Sequence, residues 1–207
     1  MRITPAVTVL AAACLSLTAC GSSGAPDEKE GSTPPAASAP PTPPEVKALA
    51  LGKTAHTAGA AHPVEGDGGG VLDITPTSVV YVPTGTGQTP VNGSYAVVAY
   101  KAKSATAVAA AETVPAENAG WQWIAPDGQA VSTMDGDATS VTPDGFLGSG
   151  AVALGSYQWR SQAFDLTKAQ HGGQLVYTDG EGKTYRWTMP AKDSGPEAAK
   201  LKKALAG

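Results

Sequence analysis

The sequence predicts an all-β fold, a sandwich or a barrel, for most of the chain. Short runs of alternating apolar residues recur from Val71 to Met189 and are closed by Gly, Pro or Asp-Gly. No strand-like run alternates regularly with a long helical one, which argues against a parallel α/β sheet. The organisation expected is a signal peptide over 1–19, a lipidated Cys20 with a disordered linker over 20–47, the β domain over 48–190, and a tail or short helix over 191–207.

The leader has the three parts of an export signal. Arg2 gives the positive start, Val7 to Leu17 form an apolar stretch broken only by Thr8 and Ser16, and the small residues Thr18 and Ala19 precede Cys20. An apolar run of about eleven residues is short of the ~20 that a spanning helix needs. Leu17-Thr18-Ala19-Cys20 resembles the lipobox of bacterial lipoprotein precursors. Small neighbours give an intramembrane peptidase access to the Ala19–Cys20 bond, and the Cys20 thiol is nucleophilic enough to take a diacylglyceryl group. The alternative, ordinary secretion with Cys20 as an incidental thiol, leaves the four-residue motif unexplained. The resemblance implies a palmitate-bearing lipoprotein on the extracytoplasmic face of the cell membrane, attached through the lipid on Cys20.

The only other cysteine, Cys14, lies in the leader. The mature domain is therefore expected to have no disulfide, no thiolate metal site and no Cys nucleophile. Loss of Arg2 with the leader takes the formal charge from -4 to -5. That balance argues against nucleic acid as a partner. About 140 residues remain beyond leader and linker, enough for one core.

Gly21 to Pro44 is Gly/Ser-rich, then acidic at Asp27, Glu28 and Glu30, then Pro-rich from Pro34 to Pro44. It has no apolar periodicity with which to build a core. Polyproline II at about 3.1 Å per residue would hold the domain on the order of 70 Å from the membrane.

The folded part is expected to start near Ala48. Leu49 to Ala55 alternate weakly, which predicts a short edge strand, and His56 to Gly70 reads as a Gly- and Ala-rich loop. Val71 to Val82 reads as a strand with Leu72 and Ile74 on one face, broken or bulged at Pro76. Asn92-Gly93 is a turn signal before the clearest strand, Tyr95 to Lys101. Ala105 to Val114 is ambiguous, a loop or a poor strand, because helix-favouring alanines sit in a β neighbourhood. Gly120 to Ile124 reads as a short strand, turned at Pro126-Asp127-Gly128 into a partner over Gln129 to Thr133. Met134 to Gly150 is polar and Gly-rich. Tyr157 to Leu166 reads as a strand with Tyr157, Trp159, Ser161 and Ala163 on one side. Gln174 to Thr178 and Thr184 to Met189 form a hairpin around Asp179-Gly180-Glu181-Gly182. Pro196 to Ala206 reads as a short basic helix with Pro196 in its first turn, or as a frayed tail.

Several pieces carry a family resemblance: Leu51-Gly52-Lys53-Thr54, Leu72-Asp73-Ile74-Thr75, Tyr95–Lys101, Gly155-Ser156-Tyr157 through Phe164-Asp165-Leu166, and Tyr177-Thr178-Asp179-Gly180 with Trp187. Together they resemble the immunoglobulin-like (telokin-like) domain of Gram-positive lipoproteins, a family related to the mycobacterial immunoprotective extracellular antigen. The chain has Leu154-Gly155 where that family often has Pro-Gly, and Ser104 near the place of a frequent Asn. The likeness implies an immunoglobulin-like β-sandwich and an envelope location. It supplies no catalytic residues.

Candidate sites are few. His56, His62, Glu65 and Asp67 lie within a dozen residues, but their spacing fits no metal-ligand pattern and solvated loop residues are the better reading. Asp135-Gly136-Asp137 matches the first positions of a calcium loop, yet Ala138 and Thr139 follow and no Glu closes the series. Neither a Gly-x-Ser-x-Gly elbow nor a His-Glu-x-x-His motif occurs, and His171 beside Gly172-Gly173 reads as part of a turn. A Ser/His/Asp triad needs no closeness in sequence and stays open. Trp121, Trp123 and Trp159 are the candidate ligand contacts, since exposed indoles stack on sugars or peptides. Trp121 and Trp123 share a strand face, and polar Gln122 between them predicts that both rings point inward. The sequence therefore predicts a non-enzymatic, lipid-anchored binding module without cofactor or metal, for an envelope protein or cell-wall partner. A carbohydrate- or cell-wall-binding module using the tryptophans is the first alternative, and a hydrolase the second.

Overall fold

A computed structural model describes residues 47–60, 70–105, 111–113 and 120–207. All belong to one unit, Pro43–Gly207. The leader, Cys20, the Pro-rich stretch, and His62, Glu65 and Asp67 lie outside the described residues.

Among the described residues nine strands and one α-helix follow in chain order: β1 Leu49–Ala50, β2 Ala55–Ala58, β3 Val71–Val82, β4 Ser94–Ser104, β5 Gly120–Ile124, β6 Ala130–Ser132, β7 Tyr157–Leu166, β8 Gln174–Thr178, β9 Thr184–Thr188 and α1 Ala198–Leu205. They form a five-stranded sheet, β1-β9-β8-β5-β6, and a four-stranded sheet, β2-β3-β4-β7. β1 runs parallel to β9, and the other pairs are antiparallel. The fold is all-β, as the alternation predicts, and has two sheets.

The two sheets share one core. Ile74, Val98 and Phe164 from the four-stranded sheet meet Trp123, Leu175 and Trp187 from the other, all completely buried. Each such side chain contributes about 1.5–3 kcal/mol of transfer free energy. A second cluster lies on the opposite face of the four-stranded sheet. There Val80, Tyr95 and Val97 pack against Val141, Phe146 and the α1 residues Leu201 and Leu205. Burial on both faces is why β4 reads Tyr-Ala-Val-Val-Ala-Tyr, without a polar face.

β3 serves both clusters through a bulge. Its pairing with β4 jumps between Pro76 and Ser78, so two residues of β3 are passed for one step of β4. Leu72 and Ile74 face the shared core before the jump, and Val79 does so after it. Val80 and Val82 are thereby turned to the outer cluster. The sequence expectation of a break or bulge at Pro76 resolves as the bulge.

Three expectations need correction. Leu49 to Ala55 is not one edge strand: Gly52, at φ 86, turns the chain from β1 in one sheet to β2 in the other. His56 to Ala58 are not loop but belong to β2, paired with Asp73 to Val71. Their Ala and Thr side chains are too small to raise an apolar signal. Pro196 is not in the first helical turn, since Glu197 is the N-cap and α1 starts at Ala198. The helix alternative holds over the frayed tail because Leu201 and Leu205, four residues apart, are buried together. Among the described residues no helix is long and apolar enough to cross a membrane.

Candidate functional site

The tryptophans separate into buried and accessible. Trp121 and Trp123 are 2% and 0% exposed. Their indole N–H groups donate inward, Trp121 to Glu112 Oε2 at 2.8 Å and Trp123 to the Gln170 carbonyl at 3.0 Å. Trp121 packs between the Tyr100 and Tyr177 rings, each centred 4.8 Å away. As ligand contacts both residues are corrected: no ring face is free. The inward orientation read from Gln122 is what the structure has, with Gln122 itself half-buried. Trp159 stands apart. It projects from the outer face of β7, half-buried between Phe146 and Tyr157, and meets both edge-on at 6.1 and 6.4 Å. Tyr157 is 52% exposed and has the Lys101 ammonium 3.9 Å from its ring centre.

The buried charges are wired to the backbone. Arg160 points between the sheets, where it donates to Glu112 Oε1 at 2.7 Å, to the Gly150 carbonyl at 2.6 Å and to Gln158 Oε1 at 2.7 Å. Glu112 also accepts from the Tyr100 hydroxyl at 2.9 Å and from Trp121. Burial, then the Glu112 charge, pushes the Tyr100 phenol well above its ordinary value, so it stays a donor. Asp165 accepts from the Val91 and Asn92 N–H groups and so pins the β3–β4 turn. Asp179 accepts from Glu181 and Lys183 in its own hairpin and from Ala58 of β2. It is a hairpin-turn residue, as the sequence predicts, that also clamps the other sheet.

Among the described residues there is one serine–histidine pair. Ser94 Oγ lies 2.7 Å from His171 Nε2 and 3.0 Å from the Leu166 carbonyl. A hydroxyl has one proton. Both contacts are satisfied together only when Ser94 donates to Leu166 and His171 donates from Nε2. That tautomer has no lone pair on Nε2 to accept the serine proton, which nucleophile activation requires. His171 stacks on the Tyr81 ring at 3.9 Å, and the Tyr81 hydroxyl donates to Pro190 at 2.8 Å, so the group fastens β3 to the turn after β7.

His56 Nδ1 contacts Asp73 Oδ1 at 2.5 Å across β2 and β3. Among the described residues no three His, Cys, Asp or Glu side chains gather to hold a metal ion. Asp135 accepts from the Ser132 N–H and closes a turn.

Concave surface occurs at several places. A cleft of about 530 Å³ is lined by Leu51, Met189 and Pro196 among others, and one of about 340 Å³ by Ile124, Pro126 and Gly173. A groove of about 260 Å³ runs along the free edge of β7, bounded by Thr133–Met134, Val141–Thr142, Phe146–Gly148 and Ser161–Ala163. None of the three has a titratable side chain in its lining. The groove is distinguished by what flanks it: Met134 is 63% and Leu147 52% exposed, large apolar groups left in water. Sequence reasoning reached Trp159 but missed Phe146, Met134 and Leu147, because they come from a polar, Gly-rich stretch that only the fold brings to β7. Comparisons of the chain with protein-family models, with curated proteins and with solved structures find no match.

Proposed function

We propose that the protein is a lipid-tethered binding module: an immunoglobulin-like β-sandwich held outside the cell membrane by a lipid on Cys20 and a Pro-rich spacer, engaging a partner without chemistry. The strand order supports the immunoglobulin-like part. Counted from β3, the first, second and fifth strands make β3-β4-β7, and the seventh, sixth, third and fourth make β9-β8-β5-β6. The immunoglobulin constant-type order differs only in placing the fourth strand beside the fifth instead of the third. Buried Trp121 and Trp123 on the third strand match that fold's core tryptophan.

The observation that carries the binding part is the apolar groove beside β7, with Met134 and Leu147 exposed on its rim. A hydrolase reading loses its best pair, because Ser94 and His171 are bonded in the non-activating sense. A sugar-stacking reading is left with Trp159 and Tyr157. They meet at 89°, which offers no continuous flat platform.

Location is tested at Cys20. Metabolic lipid label and partition into the detergent phase are expected for the native chain, and loss of both for Cys20→Ala. Two acyl chains suffice for stable anchoring, at ~0.8 kcal/mol per buried CH₂. Lipid label persisting on Cys20→Ala removes the tether from the proposal. Sedimentation with insoluble cell wall that disappears in Trp159→Ala would put the carbohydrate reading first.

A further inference from the structure

We propose that Asn92 is a site of non-enzymatic modification: its side-chain amide nitrogen is displaced by the Gly93 backbone nitrogen, water opens the resulting imide to aspartate or isoaspartate, and the new carboxylate loosens the turn that Asp165 pins. The inference goes beyond the binding-module reading and depends on neither the tether nor the groove.

The chemistry needs an asparagine followed by a residue with no side chain in the way. The chain has two asparagines, and of these Asn92 precedes a glycine while Asn118 precedes Ala119. The Gly93 nitrogen attacks Asn92 Cγ. The N–Cγ bond forms, the Cγ–Nδ2 bond breaks, and ammonia leaves with the proton that Gly93 gives up. A five-membered imide remains, and water is the co-reactant that opens it. Attack at Cγ gives aspartate. Attack at the main-chain carbonyl gives isoaspartate, whose backbone runs through Cβ and Cγ and is longer by one carbon. Such chemistry is one reason asparagine is thermolabile.

The fold leaves the reacting atoms open. Val91, Asn92 and Gly93 are all exposed. Chain neighbours aside, no heavy atom lies within 4 Å of where a Cβ on Gly93 would stand. Among the described residues the Gly93 N–H has no hydrogen-bond partner, and no backbone hydrogen bond closes the chain across 91–93. A nitrogen held in a strand ladder would first have to break that bond. The leaving amide is held weakly: Asn92 Nδ2 lies 3.5 Å from the Asp165 carbonyl, at the long limit of a hydrogen bond.

Asn92 also sits where a new charge matters. Asp165 is 1% exposed, with Oδ1 2.8 Å from the Asn92 nitrogen and Oδ2 2.6 Å from that of Val91. This carboxylate ties the β3–β4 connection to β7. A carboxylate on residue 92 repels it and replaces the amide donor that approaches the Asp165 carbonyl with an acceptor. The extra carbon of isoaspartate enters the chain just before β4 begins at Ser94, whose hydroxyl holds the Leu166 carbonyl.

The test ages the purified full chain in mildly alkaline buffer, folded and in urea, and follows it by intact mass and peptide mapping. A gain of about 1 Da is expected in the peptide that holds Asn92, resolved there into two products of equal mass. The folded chain should react within about tenfold of its rate in urea, because nothing has to unfold first. Asn92→Gln, whose longer side chain would have to close a six-membered ring, should lose the gain. Asn92→Asp, the direct product, should fold and melt roughly 2–4 °C below the native chain. Folding that slows the reaction about a hundredfold or more overturns the inference, since the turn is then not open. So does a gain that survives in Asn92→Gln, or an Asn92→Asp variant that melts like the native chain.

Discussion

Arg160 and Glu112 are a pair in which either member is costly to lose alone. Their side chains are 5% and 10% exposed. Arg160→Met strands the Glu112 carboxylate with only the Tyr100 and Trp121 donors, at an expected cost of about 3–5 kcal/mol. Adding Glu112→Gln should recover much of that, because the charge left behind carries most of the penalty. Urea unfolding of the two single variants and the double variant measures this. A single-variant loss below about 1 kcal/mol, typical of an exposed pair, would contradict the assignment. Tyr95 gives the opposite case. Its hydroxyl is buried and, among the described residues, has no hydrogen-bond partner. Burial, then the charges of Asp165 and Asp137, pushes its pKa up. Tyr95→Phe removes the unmet group and is expected to raise stability by about 1 kcal/mol. A lowered melting temperature for this variant would show the hydroxyl to be bonded after all.

Among the connecting elements, the turn after β7 acts as a clasp. Thr167 and Gln170 form a capping box around a single 3-10 turn, which delivers His171 onto Tyr81 of β3. Burial, then Lys168, holds His171 below its ordinary 6.5, against the pull of Asp193. The folded state therefore resists the second proton. Between its pKa and about 6.5 the unfolded chain binds more protons, so stability rises with pH in that window. Stability is expected to be level above about pH 6.5 and to decline below it, levelling again once folded His171 is charged. Melting temperatures of the native chain and His171→Phe across this range give the contribution by difference. A pH-independent difference would exclude it. Elements of this size were legible to different degrees. β3, β5, β7 and β8 match their expected bounds because large β-branched and aromatic residues alternate there. β2 escaped notice because Ala55, Thr57 and Ala58 are small and the flanking glycines dominate the pattern. The groove escaped because its walls come from three separate segments, which no local pattern joins.

At the scale of the whole molecule, the four-stranded sheet is covered on both sides, by the other sheet and by α1 with Phe146. The spacing of strands and turns predicts a sandwich or a barrel, and α1 with Phe146 adds a layer that it does not predict over part of the four-stranded sheet. The bulge at Thr77 is what lets one strand belong to both interiors. It works as a shift of reading frame in side-chain space: upstream the even positions face the shared core, and downstream the odd ones do. Chain length at that point therefore decides whether a bulge is needed at all. Replacing half-buried Thr77 by another polar residue loses one hydrogen bond to Ala99. Pairing the same residues without a bulge would send Val80 and Val82 inward while Val79 and Tyr81 turn out, whereas deleting Thr77 removes the extra residue and leaves Val79 facing the shared core by plain alternation. Homologous chains with four residues between the counterparts of Ile74 and Val79 should keep the bulge whatever letters they carry there, and chains with three should pair straight through without one.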